Sequence, residues 1–129
     1  MIAAATRDAV RRRAGDRCEY CRLPQAAEPD ARFHIEHIVA RQHGGADDEG
    51  NLALACNRCN RHKGPNLSGI DPVSDRPAFL FHPRRENWEE HFRMEPLEVV
   101  GLTATGRTTV ALLQMNAPVR LELRRWIAG

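Results

Sequence analysis

Two cysteine pairs of the same spacing, Cys18-x-x-Cys21 and Cys56-x-x-Cys59, constrain this chain more than any other feature. Each pair can present two thiolates to one zinc ion, and a site with four sulfur ligands is closed and therefore structural. The chain has 4 cysteines in all, so none is left over. Four unrelated buried thiols would rarely fall into two such pairs. A redox dithiol usually occurs once, opening a helix in a βαβ setting that is absent here. One ion held by both pairs would fix the path of everything between residues 18 and 59. The chain has 129 residues, 42% of them hydrophobic but only 5% aromatic. A core of that size is thin, and a structural metal compensates for it.

The formal charge of +2 argues against a protein that coats nucleic acid through bulk electrostatics. All the basic residues except Lys63 are Arg. That skew follows from base composition more readily than from phosphate recognition, although Arg suits bidentate phosphate contact. The opening Met1-Ile2-Ala3-Ala4-Ala5-Thr6-Arg7 turns charged too soon for a signal peptide. No apolar run reaches the ~20 residues of a membrane span. The expectation is a cytoplasmic protein with reduced thiols.

Residues 5–15 read as a helix capped by Thr6 and ended by Gly15, with Arg11-Arg12-Arg13 on a solvated face. Residues 33–39 read as a strand, with Phe33, Ile35, His37 and Val39 on one face and His34, Glu36 and Ile38 on the other. The polar, glycine-rich stretch 43–50 is a loop. Residues 51–55 form a second strand, and the second cysteine pair leads into a short helix through Asn60 and Lys63, stopped by Gly64-Pro65. Pro65, Pro72, Pro77 and Pro83 predict an extended wrap over 64–86 with little regular structure. A hairpin is expected from 88–94 and 97–102. A helix then opens at Thr105 or Gly106 and turns Val110, Leu112 and Leu113 inward. A last helix is capped by Asn116, with Pro118 in its first turn and Leu121, Leu123, Trp126 and Ile127 as apolar positions. Trp88 and Trp126 are expected to fill the core. The whole, 1–129, reads as one domain, with a core motif over 18–64 and an appendage over 65–129.

Within 18–64 stand Cys18/Cys21, Glu36-His37, Gly44-Gly45, Asn51-Leu52, Cys56/Cys59, Asn60 and Lys63. In that order and spacing they resemble the HNH endonuclease family. The remainder, with Trp88-Glu89-Glu90-His91-Phe92 and Gly101-Leu102-Thr103, is similar to short stand-alone bacterial HNH proteins. The resemblance implies an α+β fold: a ββα-metal, treble-clef-like nuclease core stapled by zinc, with an N-terminal helix and a C-terminal hairpin and helical appendage. It implies that His37 is the general base, a role suited to an imidazole near neutral pH. Glu36 and Asn60 would hold one divalent cation, Mg²⁺ or Mn²⁺, a hard ion that takes oxygen ligands. Asn51 would orient the loop bearing the base. Lys63, three positions after Asn60, would contact phosphate together with Arg58 and Arg61. The expected partner is DNA, double-stranded, cut to 5′-phosphate and 3′-hydroxyl ends.

Many members carry Asp where this chain has Glu36 and His where it has Asn60. His62 should point away from the face of Asn60, since two helical residues rotate about 200°. Glu36 and His37 are adjacent, and neighbours on a regular strand face opposite ways. A shared site therefore requires a break or bulge at 36–38. Two other readings compete with a nuclease. A non-catalytic zinc module could bind nucleic acid with salt-dependent affinity. A zinc-stabilised adaptor would leave Glu36, His37 and Asn60 without a purpose.

Overall fold

The computed structural model describes residues 1–129. Helix α1 spans Ala4–Ala14 and ends at Gly15, as expected, but its N-cap is Ala3, so Thr6 lies inside the helix. Val10 is the buried anchor of α1. The Arg11-Arg12-Arg13 run is not simply a solvated face: Arg11 donates to the carbonyl of Phe33 at 3.1 Å, and Arg13 donates to those of Glu49 at 2.8 Å and Leu52 at 2.6 Å. These cations satisfy carbonyls next to the first two strands.

Strand β1, His34–His37, pairs antiparallel with β2, Leu52–Ala55. The register sets His34 opposite Ala55, Glu36 opposite Ala53 and His37 opposite Leu52. The amide of Ile38 carries the ladder on to Asn51 O at 2.8 Å. The pairing has no bulge up to His37, but the strand ends there and the chain bends at Ile38 and Val39, the break expected at 36–38. Helix α2, Asn57–Lys63, follows at once, and its N-cap is Cys56, whose sulfur accepts from the Cys59 amide. A hairpin followed by a short helix at the second cysteine pair is consistent with a ββα core, and the fold mixes helices with three two-stranded sheets.

The proline-rich wrap contains a further hairpin that the prolines concealed, β3 (Ser68–Ile70) with β4 (Pro77–Phe79). Pro77 is tolerated because it stands first in its strand. Asp71 closes the turn: buried, it accepts from Ser74 and from Arg107 at 3.0 and 2.8 Å. Trp88–His91 is a helical turn, α3, before the hairpin β5 (Phe92–Glu95) and β6 (Glu98–Gly101). Helix α4, Ala104–Leu112, is capped by the Thr103 hydroxyl, not by Thr105. Helix α5 is Pro118–Ala128, with Ala117 as N-cap. Asn116 is spent elsewhere, clasping both the N–H and the C=O of Val99 at 2.8 Å.

Tyr20, Phe33, Leu52, Leu54, Phe81, Phe92, Val99, Leu113 and Met115 fill the interior. Trp88 joins them and stacks on Phe92, ring centres 5.0 Å apart. Trp126 does not: it is 78% exposed, and Ile127 is exposed too. Helix α5 buries Arg120 and Arg124 instead. Arg124 donates to the carbonyls of Leu97 and Met115, so the inward face of this helix is polar and apolar periodicity misreads it.

Gly106 sets α4 tightly against the end of α3 and against Gly101 of β6. A Cβ there would stand 2.0 Å from the His91 carbonyl oxygen. Gly106→Ala should cost about 1–3 kcal/mol by overpacking. Gly50→Ala would meet only the Asp48 side chain at 3.3 Å and should leave stability near wild type. Thermal melts of both variants check this, and equal melting temperatures would refute the close contact.

Candidate active site and zinc cluster

The four cysteine sulfurs lie within 4.8 Å of one another, and all four residues are buried. A tetrahedral zinc with ~2.3 Å sulfur bonds has edges of about 3.8 Å, and Cys21 and Cys56 are 3.8 Å apart at sulfur. The amides of Cys21 and Cys59 donate to the sulfurs of Cys18 and Cys56 at 3.5 and 3.4 Å. Arg120 brings a guanidinium to Cys56 Sγ at 3.7 Å while paired with Glu28 at 2.9 Å. Burial pushes the Cys18 thiol up, whereas hydrogen bonds from the other cysteine side chains hold Cys56 down. A set of sulfurs this close and this enclosed is chemically suited to zinc.

The first knuckle reaches the hairpin through the residues between its cysteines. Glu19 exchanges backbone and side-chain bonds with Leu54, each at 2.8 Å, and pairs with Arg84. Tyr20 donates its hydroxyl to Glu36 Oε1 at 3.0 Å. Lys63, at the end of α2, stands 3.2 Å from the same oxygen and donates to the Ile38 carbonyl at 2.9 Å. Tyr20, Glu36 and Lys63 are all buried. Burial pushes the Glu36 carboxyl up to about 6, against the opposing pull of the Lys63 charge and the Tyr20 hydroxyl.

His37 faces the other way. Its Nε2 is 2.6 Å from Asp47 Oδ1, and its side chain is 17% exposed. Arg41 forks onto the same carboxylate, Nε at 3.1 Å and Nη2 at 3.2 Å. Asn51 holds the loop that supplies Asp47: its oxygen accepts from Val39 N, and its nitrogen donates to Val39 O and Ala46 O, each at 2.9 Å. Gly45 permits this path, because a Cβ there would land 1.7 Å from the Val39 oxygen.

Residues 18–66 match the HNH endonuclease family model. No curated protein and no solved structure matches the chain. The matched segment spans both cysteine pairs, the β1–β2 hairpin and α2. Within it, the residues read from sequence separate into two groups. Asn51 and His37 meet around the 44–50 loop. Glu36 is drawn into an interior pair with Lys63, so the carboxylate and the imidazole lie on opposite faces of β1. Asn60, half-buried on α2, makes no side-chain hydrogen bond.

Two expectations change as a result. Lys63 is not a surface phosphate contact, since the residue is 2% exposed and its ammonium already pairs with a carboxylate. Glu36 and Asn60 do not form an open cation pocket beside His37. The Glu36 carboxylate is enclosed and compensated, and a dication would have to share it with an ammonium at contact distance. Arg61 is exposed and free of ion pairs, whereas Arg58 donates to Gln114 at 3.1 Å, beside His62. Asp47 was missed by the sequence reading. Its one signal was an acidic residue just after Gly44-Gly45 in a loop between a histidine and an asparagine.

Removing one partner of a buried pair strands the other charge. Lys63→Met should therefore cost about 3–5 kcal/mol. The double variant Glu36→Gln/Lys63→Met should lose less than the two single variants combined, by about 1 kcal/mol or more. Urea unfolding of the four proteins measures the coupling, and strict additivity would mean the pair is not formed in solution.

Proposed function

We propose that this protein is an endonuclease hydrolysing phosphodiester bonds of double-stranded DNA, with His37 as the general base. The observation that carries the reading is the partly exposed imidazole of His37, fixed by Asp47 on an Asn51-clamped loop, inside the segment that matches the HNH family. Zinc on Cys18, Cys21, Cys56 and Cys59 supplies rigidity, not reactivity, because four sulfurs leave no position for water or substrate.

Hydrolysis needs a proton taken from the attacking water, which a positioned imidazole near neutral pH can supply. It also needs positive charge near the phosphate. Arg41 lies beside His37 through Asp47, and Arg61 is exposed on α2. Guanidinium groups suit the phosphate oxygens. The Mg²⁺ or Mn²⁺ ion that the resemblance implies does not fit Glu36 and Asn60 as they stand, so no step is assigned to it. A non-catalytic nucleic-acid-binding module is the second reading, favoured by the engagement of Glu36 away from His37.

Supercoiled plasmid incubated with the zinc-loaded protein should be nicked and linearised. The assay is run with Mg²⁺, with Mn²⁺ and with no added divalent ion, so that cutting is scored whichever counter-ion the phosphate uses. His37→Ala should cut at least about 100-fold more slowly with unchanged zinc content and melting temperature. Retarded migration of DNA without cutting, unaffected by His37→Ala, would favour the binding module and overturn the nuclease.

A further inference from the structure

We propose that Asp47 is the positioning residue of His37: it fixes the imidazole as the Nε2–H tautomer and leaves Nδ1 as the nitrogen that accepts the proton. The inference rests on the reading of His37 as a general base, and its geometry stands apart from that reading. His37 and Arg41 hold the Asp47 carboxyl well below the ordinary carboxylate range, so it is ionised and can only accept hydrogen bonds. The 2.6 Å contact to Nε2 therefore requires the proton on Nε2. In a neutral ring the lone pair is then on Nδ1, and which nitrogen is protonated follows from the bond the other makes. Nδ1 has no partner in the chain and is not walled off from solvent. A water there could give its proton to Nδ1 as its oxygen attacks phosphorus and the phosphorus–oxygen bond to the departing sugar breaks, the sugar oxygen leaving with the bonding pair and taking a proton from solvent water. The ring would become imidazolium, with Asp47 as its counter-charge.

The carboxylate is itself held in place. Arg41 binds both its oxygens, and Asn51 fixes the preceding carbonyl of Ala46. Asp47 thus does for the ring what Asn51 does for the loop. It touches no substrate and acts through His37.

The test uses the full-length, zinc-loaded protein. Long-range ¹H–¹⁵N NMR of His37 in the wild type, at a pH where the ring is neutral, should show the proton on Nε2. In Asp47→Ala that single tautomer should be lost. Plasmid cutting by Asp47→Ala should fall by about 100-fold in kcat with KM changed less than about threefold. Asp47→Glu, which can still accept from Nε2, should recover part of the loss. A proton on Nδ1 in the wild type would overturn the assignment even if the protein cuts no DNA, so it fails separately from the nuclease reading. Cutting by Asp47→Ala at the wild-type rate, with His37→Ala inactive, would overturn it as well.

Discussion

The sulfur cluster joins residue 18 to residue 59, and the placement of every other group in the HNH segment depends on that closure. The first knuckle cannot move without dragging Glu19 off Leu54 and Tyr20 off Glu36. The second knuckle is the start of α2, so the direction of that helix, and with it the depth of Lys63, is set by Cys56 and Cys59. The C-terminal region extends the same brace. Arg120 reaches Cys56 from α5, Trp88 donates to the Tyr20 carbonyl at 2.7 Å, and Arg84 meets Glu19. A thin aromatic core is adequate because a cysteine cluster suited to zinc and buried, hydrogen-bonded cations share the task of holding the elements together.

A regular strand then divides the labour between two neighbours. Because β1 pairs regularly up to its end at His37, side chains alternate faces, and Glu36 and His37 are sent to opposite environments. One enters a dry space where an uncompensated carboxylate would be intolerable, and it is met by Lys63 and Tyr20. The other emerges at the edge of a polar loop. Adjacency in sequence thus implied a shared site that the pleat forbids.

What the sequence made legible were the features with short-range causes. The spacing of the thiols, the two strands, the helix start at the second cysteine pair and the stop at Gly64 all follow from local residue chemistry, and all appear. The misreadings concern partners distant in the chain. Asn116 looked like a cap because it precedes Pro118, yet it clasps Val99 in the β5–β6 hairpin. The face of α5 was read from apolar spacing, but the surface it packs on presents carbonyls and a cysteine sulfur that select arginine, and Trp126 is turned outward. Lys63 looked like a surface cation because nothing local shows that Glu36 lies beneath it. Each outcome depends on which backbone groups end the fold without partners, and that is a property of the assembled structure.

The two charged groupings in the HNH segment differ in what they can contribute. Glu36 and Lys63 are enclosed, so their attraction is little screened and the loss of either leaves a costly orphan; their effect falls on folding. Asp47 is 37% exposed and Arg41 59%, and ion pairs in contact with water add little stability. Three bonds from Asn51, a glycine that admits the chain at Gly45 and a forked arginine are a large investment in a contact that folding scarcely needs. The product of that construction is the orientation of one imidazole at the surface. Precise placement of a titratable ring where stability is not at stake is what the proposed role of His37 as proton acceptor requires.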